Sequence, residues 1–412
     1  MDTLKIRDAG DVEQAVRAAI AAEQPLEIVG HGSKRAVGLP MATNAVLDLS
    51  ALNRVVGYEP HELILTVEAG APMADLLSLI DSKNQEFAFE PMDTSVLLGT
   101  PPQSATIGGT IAAGLAGPRR IKSGGARDHL LGLTAVSGFG ETFKAGGKVV
   151  KNVTGYDLCK LIAGSWGTLA VMTEVTLKVM PKAEREVTLV LHGLDDVAAT
   201  KAMNIALGSP YDISGVSHLP QSAFRAAPGP LAALGAKGAV TLIRLEGIGA
   251  SVPHRANSLT ETLASFGKPD RIEDAASQAV WAAIRDVAPF AASGPLGAWP
   301  VWRIVCPPAS GGGFGQALAR ETGGDVIYDW GGGLIWAALP PSADAGAGQL
   351  RSKLKAIDGH ATLIRGSDAV RGAIDVFHPH DAGVAALNKR VKASFDPRDV
   401  FNRGRMVRTG KA

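Results

Sequence analysis

Three glycine-rich segments constrain this chain more than any other feature. They are Val29-Gly30-His31-Gly32-Ser33-Lys34, then Ala105-Thr106-Ile107-Gly108-Gly109-Thr110-Ile111-Ala112-Ala113-Gly114, then Gly164-Ser165-Trp166-Gly167-Thr168. Each sits where a predicted strand or turn meets a helix signal. A backbone without side chains can make tight turns or approach another group closely. With 49 glycines and no collagen-like period, the chain uses this freedom often.

The spacing of apolar residues places these segments. Val12, Val16, Ala19 and Ile20 form a helical stripe, with Asp11 as the expected N-cap and Gln14 as its capping-box partner. Pro25 stops that helix. Leu26–Val29, Ala45–Leu49, Leu63–Glu68, Leu130–Val136 and Leu169–Val179 read as strands, and Pro72 opens a helix to Ile80. Beyond Pro181 the order changes. Strand, helix, strand, strand, helix runs from Glu186 to Phe266 and returns from Val301 to Arg365, with helix starts at Asp195, Val252, Phe314 and Ala343. This predicts a duplicated split βαβ layout, an antiparallel sheet covered on one face by helices. A last helix, Asp381–Phe395, ends at Asp396-Pro397. The expected fold class is α+β, with one domain over 1–180 and a second over 181–412.

Forty-one Lys and Arg against 40 Asp and Glu leave a formal charge of +1, so the chain shows no basic footprint for nucleic acid. Two cysteines, Cys159 and Cys306, cannot build a four-cysteine cluster or zinc site. No basic stretch precedes an apolar core at the N-terminus, and no long uncharged apolar run occurs, so neither a secretory leader nor a spanning helix is expected.

Singly, the glycine segments leave two readings open. Gly30 to Lys34 can present N–H groups to phosphate oxygens, or form a tight turn. Thr106 can cap a helix opening on Gly108-Gly109 beside a ligand, or small residues there can serve close helix packing. The third segment, preceded by Lys151-Asn152-Val153-Thr154-Gly155-Tyr156-Asp157-Leu158, is also compatible with ordinary α/β connections.

In this order and spacing, however, the chain resembles the FAD-binding domain of the p-cresol methylhydroxylase (PCMH) and vanillyl-alcohol oxidase superfamily, and within it the FAD-binding E subunits of bacterial glycolate oxidases. The A-T-I-G-G motif, Gly117-Pro118-Arg119-Arg120, Arg127-Asp128-His129-Leu130-Leu131-Gly132, and K-N-V-T-G-Y-D-L followed by G-S-W-G-T-L carry the match over about the first 180 residues. The closing Asp396-Pro397 through Asn402-Arg403-Gly404-Arg405 is similar to a terminal D-P-x-x-x-x-N-P-G-[KR].

The resemblance implies a two-lobed PCMH-type domain with FAD between the lobes. By position, Gly30, His31, Gly32, Ser33 and Lys34 would meet the pyrophosphate. Thr106, Ile107, Gly108, Gly109 and Thr110 would form a second wall, and the strand containing Val171 would offer backbone polar groups. Aligned by its glycines, the loop puts the family's tethering histidine nearer Ser33 than His31, which implies non-covalent FAD. Cys159, on an apolar helix, reads as a buried structural residue.

The resemblance also implies a substrate region in the second domain, but the family's G-E-H-G stretch is missing. His378-Pro379-His380 is the nearest histidine pair. Arg244, Arg303 and Arg365 lie on predicted strands, where any one can bind a carboxylate or make sheet-face ion pairs. Trp166 stands where D-lactate dehydrogenase-like relatives carry Glu. No catalytic residue and no metal ligand is assigned.

The expected function is the FAD-binding subunit of a glycolate oxidase complex, partnered by a catalytic flavin D subunit and an iron–sulfur F subunit, with a small 2-hydroxy acid as substrate. A self-sufficient 2-hydroxy-acid oxidase and a non-catalytic structural flavin subunit are the alternatives. The expected location is cytoplasmic, peripheral at the inner membrane through partners.

Overall fold

Asp8, not Asp11, starts the first helix. In a computed structural model describing residues 2–147, 156–225, 227–235 and 238–408, the Asp8 carboxylate accepts from the Asp11 N–H, and the helix runs Ala9–Ala21. Asp11 is instead in the first turn, paired with Arg7 at 2.9 Å. The expected Gln14 capping box gives way because the helix begins a turn earlier. Val12, Val16 and Ala19 are buried as the stripe requires.

The first half holds two sheets of three or more strands and one two-stranded sheet among the described residues. Strands β1 (Asp2–Lys5), β2 (Leu26–Val29) and β3 (Ala45–Asp48) form a small parallel sheet in the order β1-β3-β2. Next come β4 (Val55–Glu59), β5 (Ile64–Glu68), the short β6 (Gln85–Glu86), β7 (Leu130–Ser137), β8 (Thr142–Gly146), β9 (Ala170–Lys178) and the short β10 (Met180–Pro181). Five of them make an antiparallel sheet ordered β4-β5-β9-β7-β8. Sequence reasoning missed both edge strands: β4 is largely exposed, and β8 is a short run whose alternation turns only Phe143 and Ala145 inward. Helices Met73–Asp81 and Ile107–Ala113 bury Leu76, Ile80, Ile107 and Ile111 against Leu65, Val67, Val175 and Leu177 of this sheet. A second cluster joins the two sheets, packing Val12, Leu26 and Leu47 with Val136 and Val171.

The second half carries the repeated layout. Its strands are β11 (Arg185–His192), β12 (Ile213–Leu219), β13 (Val240–Gly247), β14 (Asp270–Glu273), β15 (Val301–Val305), β16 (Asp325–Asp329), β17 (Leu334–Ala338) and β18 (His360–Arg365). They form one sheet, β14-β11-β13-β12-β16-β17-β15-β18. Each half of that order is a βαββαβ unit with its second strand innermost, so the units meet edge to edge where β12 pairs antiparallel with β16. The duplication is therefore written in topology.

Helices Asp196–Leu207, Ser251–Thr262, Pro308–Thr322 and Ala347–Leu354 cover one face. The third begins six residues before the expected Phe314. Its glycines look like a loop in sequence, but a β-carbon on Gly312 would lie 2.6 Å from Thr200 Oγ1, so they permit close helix packing. The opposite face is also buried. Helix Asp274–Arg285, which the sequence reading missed, packs there through Val280, Trp281 and Ile284, together with Met92, Leu97 and Leu115 of the first half.

The chain end returns to its beginning. Helix Ala382–Phe395 starts on an Asp381 cap and stops at Asp396. Phe401 then bridges Leu26 in parallel, extending the free edge of β2. The Leu26 N–H donates to Val400 O at 2.7 Å, and the Asn402 N–H donates to Leu26 O at 3.0 Å.

Candidate cofactor site

β2 ends at Val29, and the chain turns through Gly30 to Lys34 beside the N-terminus of helix Ile107–Ala113. These two glycine segments face each other across a cleft with about 700 Å³ of atom-free space, mouth included. Gly30, His31, Gly32, Ser33 and Lys34 form one wall, with Thr106, Gly108 and Gly109 opposite. Ile107 and Thr110 do not line it. Ile107 packs into the core under the helix, and the Thr110 hydroxyl donates to Thr106 O at 2.9 Å. Val171 is turned away as well, because side chains alternate along a strand. Its neighbours Ala170 and Met172 line the cleft while Val171 enters a core cluster.

The two segments contribute differently. In the helix, the Ile107 N–H donates to Ala71 O at 3.0 Å and the Gly108 N–H to Ala69 O at 2.8 Å. Thr106 caps as expected, its hydroxyl accepting from the Gly109 N–H at 3.3 Å. That N-terminus therefore has little donor capacity left, and its glycines supply shape. A β-carbon on Gly108 would lie 2.7 Å from Ala69 O. In the loop, the N–H groups of His31, Gly32, Ser33 and Lys34 have no acceptor among the described residues. Successive free N–H groups in a turn make an anion-binding concavity.

Two cations reinforce it. Lys34 and Arg405 line the cleft and are only 8% and 6% exposed. Neither pairs with a carboxylate among the described residues. Lys34 Nζ reaches only Ser33 Oγ, at 3.4 Å. Arg405 donates from Nη2 to Lys34 O at 2.7 Å, but its buried Nε has no partner. Burial pulls the Lys34 ammonium down to about 8, with Asp93 opposing and Arg405 assisting the shift. Burial likewise pulls Arg405 down to about 10. An uncompensated buried charge typically costs several kcal/mol. The arrangement fits an anionic group.

Arg405 and Asn402 were absent from the sequence-derived site. Their signal was the closing D-P motif, whose distance in sequence hid its destination. Asn402 ties three segments together. Its Oδ1 accepts from the Ile28 N–H at 2.9 Å and its Nδ2 donates to Trp166 O at 2.8 Å. Trp166 sits at φ 54°, a left-handed conformation uncommon for a bulky residue. Its indole lies 5.3 Å from the Arg405 guanidinium and 5.6 Å from the Phe377 ring. It thus lines the cleft and packs in the core at once. Residues 151–155 of K-N-V-T-G-Y-D-L lie outside the described residues; Asp157 caps helix Leu158–Ile162. His31 is exposed at the cleft, whereas Cys159 is buried, and burial pushes its thiol up to about 11.

Over the second sheet, the three candidate arginines separate. Arg244 pairs with Glu90 at 2.8 Å and with Glu246 at 3.3 Å, stacked 4.5 Å from the Trp281 ring. Arg119 joins the same network, pairing with Glu86 at 2.8 Å and also with Glu90 and Glu246. Arg365 is spent on carbonyls, including Trp299 O at 2.8 Å and Leu97 O at 3.0 Å. Arg303 alone of the three makes no hydrogen bond or ion pair among the described residues. It lies 5.2 Å from the Trp330 ring, as does Arg120. His378 stacks edgewise on His360 and accepts from the Ala361 N–H at 3.3 Å. Among the described residues no group of three or more His, Cys, Asp or Glu side chains is placed to hold a metal ion.

Residues 3–146 match a family model described as an FAD binding domain. The chain is 31% identical over 398 residues, 95% of each protein, to glycolate oxidase subunit GlcE of Escherichia coli K12. It belongs to the GlcE family. The GlcE likeness is nearly end to end, so it covers the second sheet as well as the cleft. Glycolate oxidase subunit GlcD of Bacillus subtilis is 34% identical over 190 residues, covering 45% of this chain and 39% of that one. Among solved structures, p-cresol methylhydroxylase with substrate bound superposes with a TM-score of 0.72 at 14% identity, covering 98% of this chain and 88% of that one. That likeness establishes the PCMH-type fold. The chain is an FAD-dependent oxidoreductase subunit of the glycolate oxidase type. The loop's free N–H groups and the two buried cations suit FAD's diphosphate.

Proposed function

We propose that this chain is the FAD-bearing E-type subunit of a complex that oxidises glycolate to glyoxylate, with a catalytic flavin D subunit and an iron–sulfur F subunit as partners and electrons passing through flavin to the iron–sulfur partner. The end-to-end likeness to GlcE carries this reading. Bound FAD would supply hydride acceptance from the 2-hydroxy acid. This chain's own residues hold the cofactor: the Gly30–Lys34 loop and Thr106, Gly108 and Gly109 wall the cleft, and Met172 and Trp166 close it.

The residues over the second sheet support a subunit that is incomplete alone. Arg119, Arg244, Glu86, Glu90 and Glu246 compensate one another, which leaves Arg303 as the one candidate arginine without a hydrogen-bond or ion-pair partner among the described residues, a single cation to orient a substrate carboxylate. Orientation is a large part of such catalysis. Cys159 and Cys306 are both buried, and two thiols are too few for a four-cysteine cluster. Residues 1–180 form the cofactor unit and 181–412 the unit that docks partners, with the terminal segment returning to the first. Among the described residues no helix is long and apolar enough to cross a membrane. The chain works in the cytoplasm, held at the inner membrane by its partners.

Steady-state glycolate oxidation with an artificial electron acceptor tests this. The isolated flavin-loaded chain turns over poorly, and the assembled complex turns over well. Full specific activity from the isolated chain would favour the self-sufficient oxidase instead.

A further inference from the structure

We propose that Arg405 and Lys34 form a two-cation clamp on the cofactor's diphosphate, so that the C-terminal segment closes the anion site. This rests on FAD as the cofactor and adds which of the chain's own charges receive its phosphates.

The other arginines nearby already have partners. Arg35, next in the loop, is paired with Glu27. Arg403, two residues before Arg405, is exposed and pairs with Asp399 at 3.1 Å. Arg371 donates to Gly38 O at 2.7 Å and pairs with Asp368. Lys34 and Arg405 remain, both buried, both in the cleft, and neither facing a carboxylate within ion-pair distance. Arg405 Nε is a buried donor with nothing to donate to. Arg371 Nε is likewise a buried donor without a partner, so it is the pair of buried cations unpaired on one cleft, rather than the orphaned nitrogen, that calls for an anionic partner. Between the two cations and the unused N–H groups of residues 31–34, that partner is a dianionic or more highly charged phosphate.

The terminal segment is built to hold Arg405 still. The Leu39 N–H donates to Arg405 O at 2.9 Å, and the Arg405 N–H donates to Asn402 O at 3.0 Å. The Asp396 carboxylate accepts from the N–H groups of Val400 at 3.0 Å and Phe401 at 2.8 Å, which shapes the turn before it. A β-carbon on Gly38 would lie 2.8 Å from Arg405 Cγ, so the side chain passes through a tight gap on its way to the cleft. A guanidinium positioned this way loses little freedom on binding.

The test uses flavin-free full-length protein, titrated separately with FAD and with riboflavin and followed by flavin fluorescence. Charge-assisted contacts of this kind lead us to expect Arg405→Gln and Lys34→Gln each to weaken FAD about 10- to 100-fold. Riboflavin affinity stays within about threefold, since riboflavin has no phosphate. Arg405→Lys keeps most FAD affinity, and Arg403→Gln binds both ligands as the parent does. In the unaltered protein, ADP displaces FAD better than adenosine, and inorganic pyrophosphate also competes. FAD affinity unchanged in Arg405→Gln overturns the clamp. So does an equal loss of FAD and riboflavin, which would make Arg405 a structural strut. Should the glutamine variants not fold, the ADP and adenosine comparison decides alone: equal competition by the two overturns the proposal.

Discussion

Gly30 lies against Thr106 so closely that a β-carbon on Gly30 would stand 2.5 Å from Thr106 Oγ1. The same hydroxyl caps helix Ile107–Ala113 by accepting from the Gly109 N–H. Two segments separated by 76 residues thus share one contact, and both walls of the cofactor cleft depend on it. Gly30→Ala is expected to push Thr106 aside, at a cost of roughly 1–3 kcal/mol for overpacking. The purified variant should carry much less FAD per chain, read from the ratio of flavin to protein absorbance. Flavin content equal to the parent's would show that the cleft tolerates the displacement.

Non-covalent attachment is expected of this cleft. Acid precipitation should release the yellow chromophore into the supernatant. Colour that stays with the pellet would identify a tether, and exposed His31 would be the first residue to replace.

Arg244 and Arg303 lie on the same face of one sheet and should respond oppositely to removal. Arg244→Met leaves Glu90 and Glu246 partly uncompensated in a buried network, and breaking such a pair typically costs 3–5 kcal/mol. Arg303→Met removes a cation without an ion pair and should be close to neutral or stabilising. Urea unfolding of the full chain, read by tryptophan fluorescence, gives the two midpoints. Equal losses would contradict the pairing described here.

Asp329 makes a pH prediction with a definite sign. Burial pushes its carboxyl up to about 8, against an opposing hydrogen bond from the Trp330 N–H; Glu90 also raises it, while Arg244 and Arg303 lower it. In the unfolded chain it titrates near its ordinary value of about 4. Between about pH 4 and 8 the folded state therefore binds more protons than the unfolded state. The stability this group contributes is full below that window and falls as pH rises to about 8. Asp329→Asn should remove that decline, so the variant gains on the parent as pH goes from 5 to 9. Urea midpoints at pH 5, 7 and 9 give the variant's midpoint minus the parent's; a difference that stays constant or falls as pH rises would refute the assignment.

The sequence by itself determined the elements whose pattern is local. Leu26–Val29 is a strand because four residues in a run bury well between a proline and a glycine turn. Thr106 caps a helix because its own hydroxyl reaches a donor three residues on. The order of strands and helices after Pro181 was enough to indicate a duplicated unit, since split βαβ topology follows from connection order. The tertiary structure decided everything that depended on distant partners. Edge strands β4 and β8 carry no two-sided burial to mark them, and the glycines of helix Pro308–Thr322 make sense only against Thr200. The glycine motifs pointed to the cleft but not to the division within it. The loop's N–H groups meet no acceptor among the described residues, while Ala69 and Ala71 consume those of the helix. Arg405 stands 371 residues from Lys34 in sequence, and the cleft acquires its second cation only because the terminal segment bridges to the edge of β2.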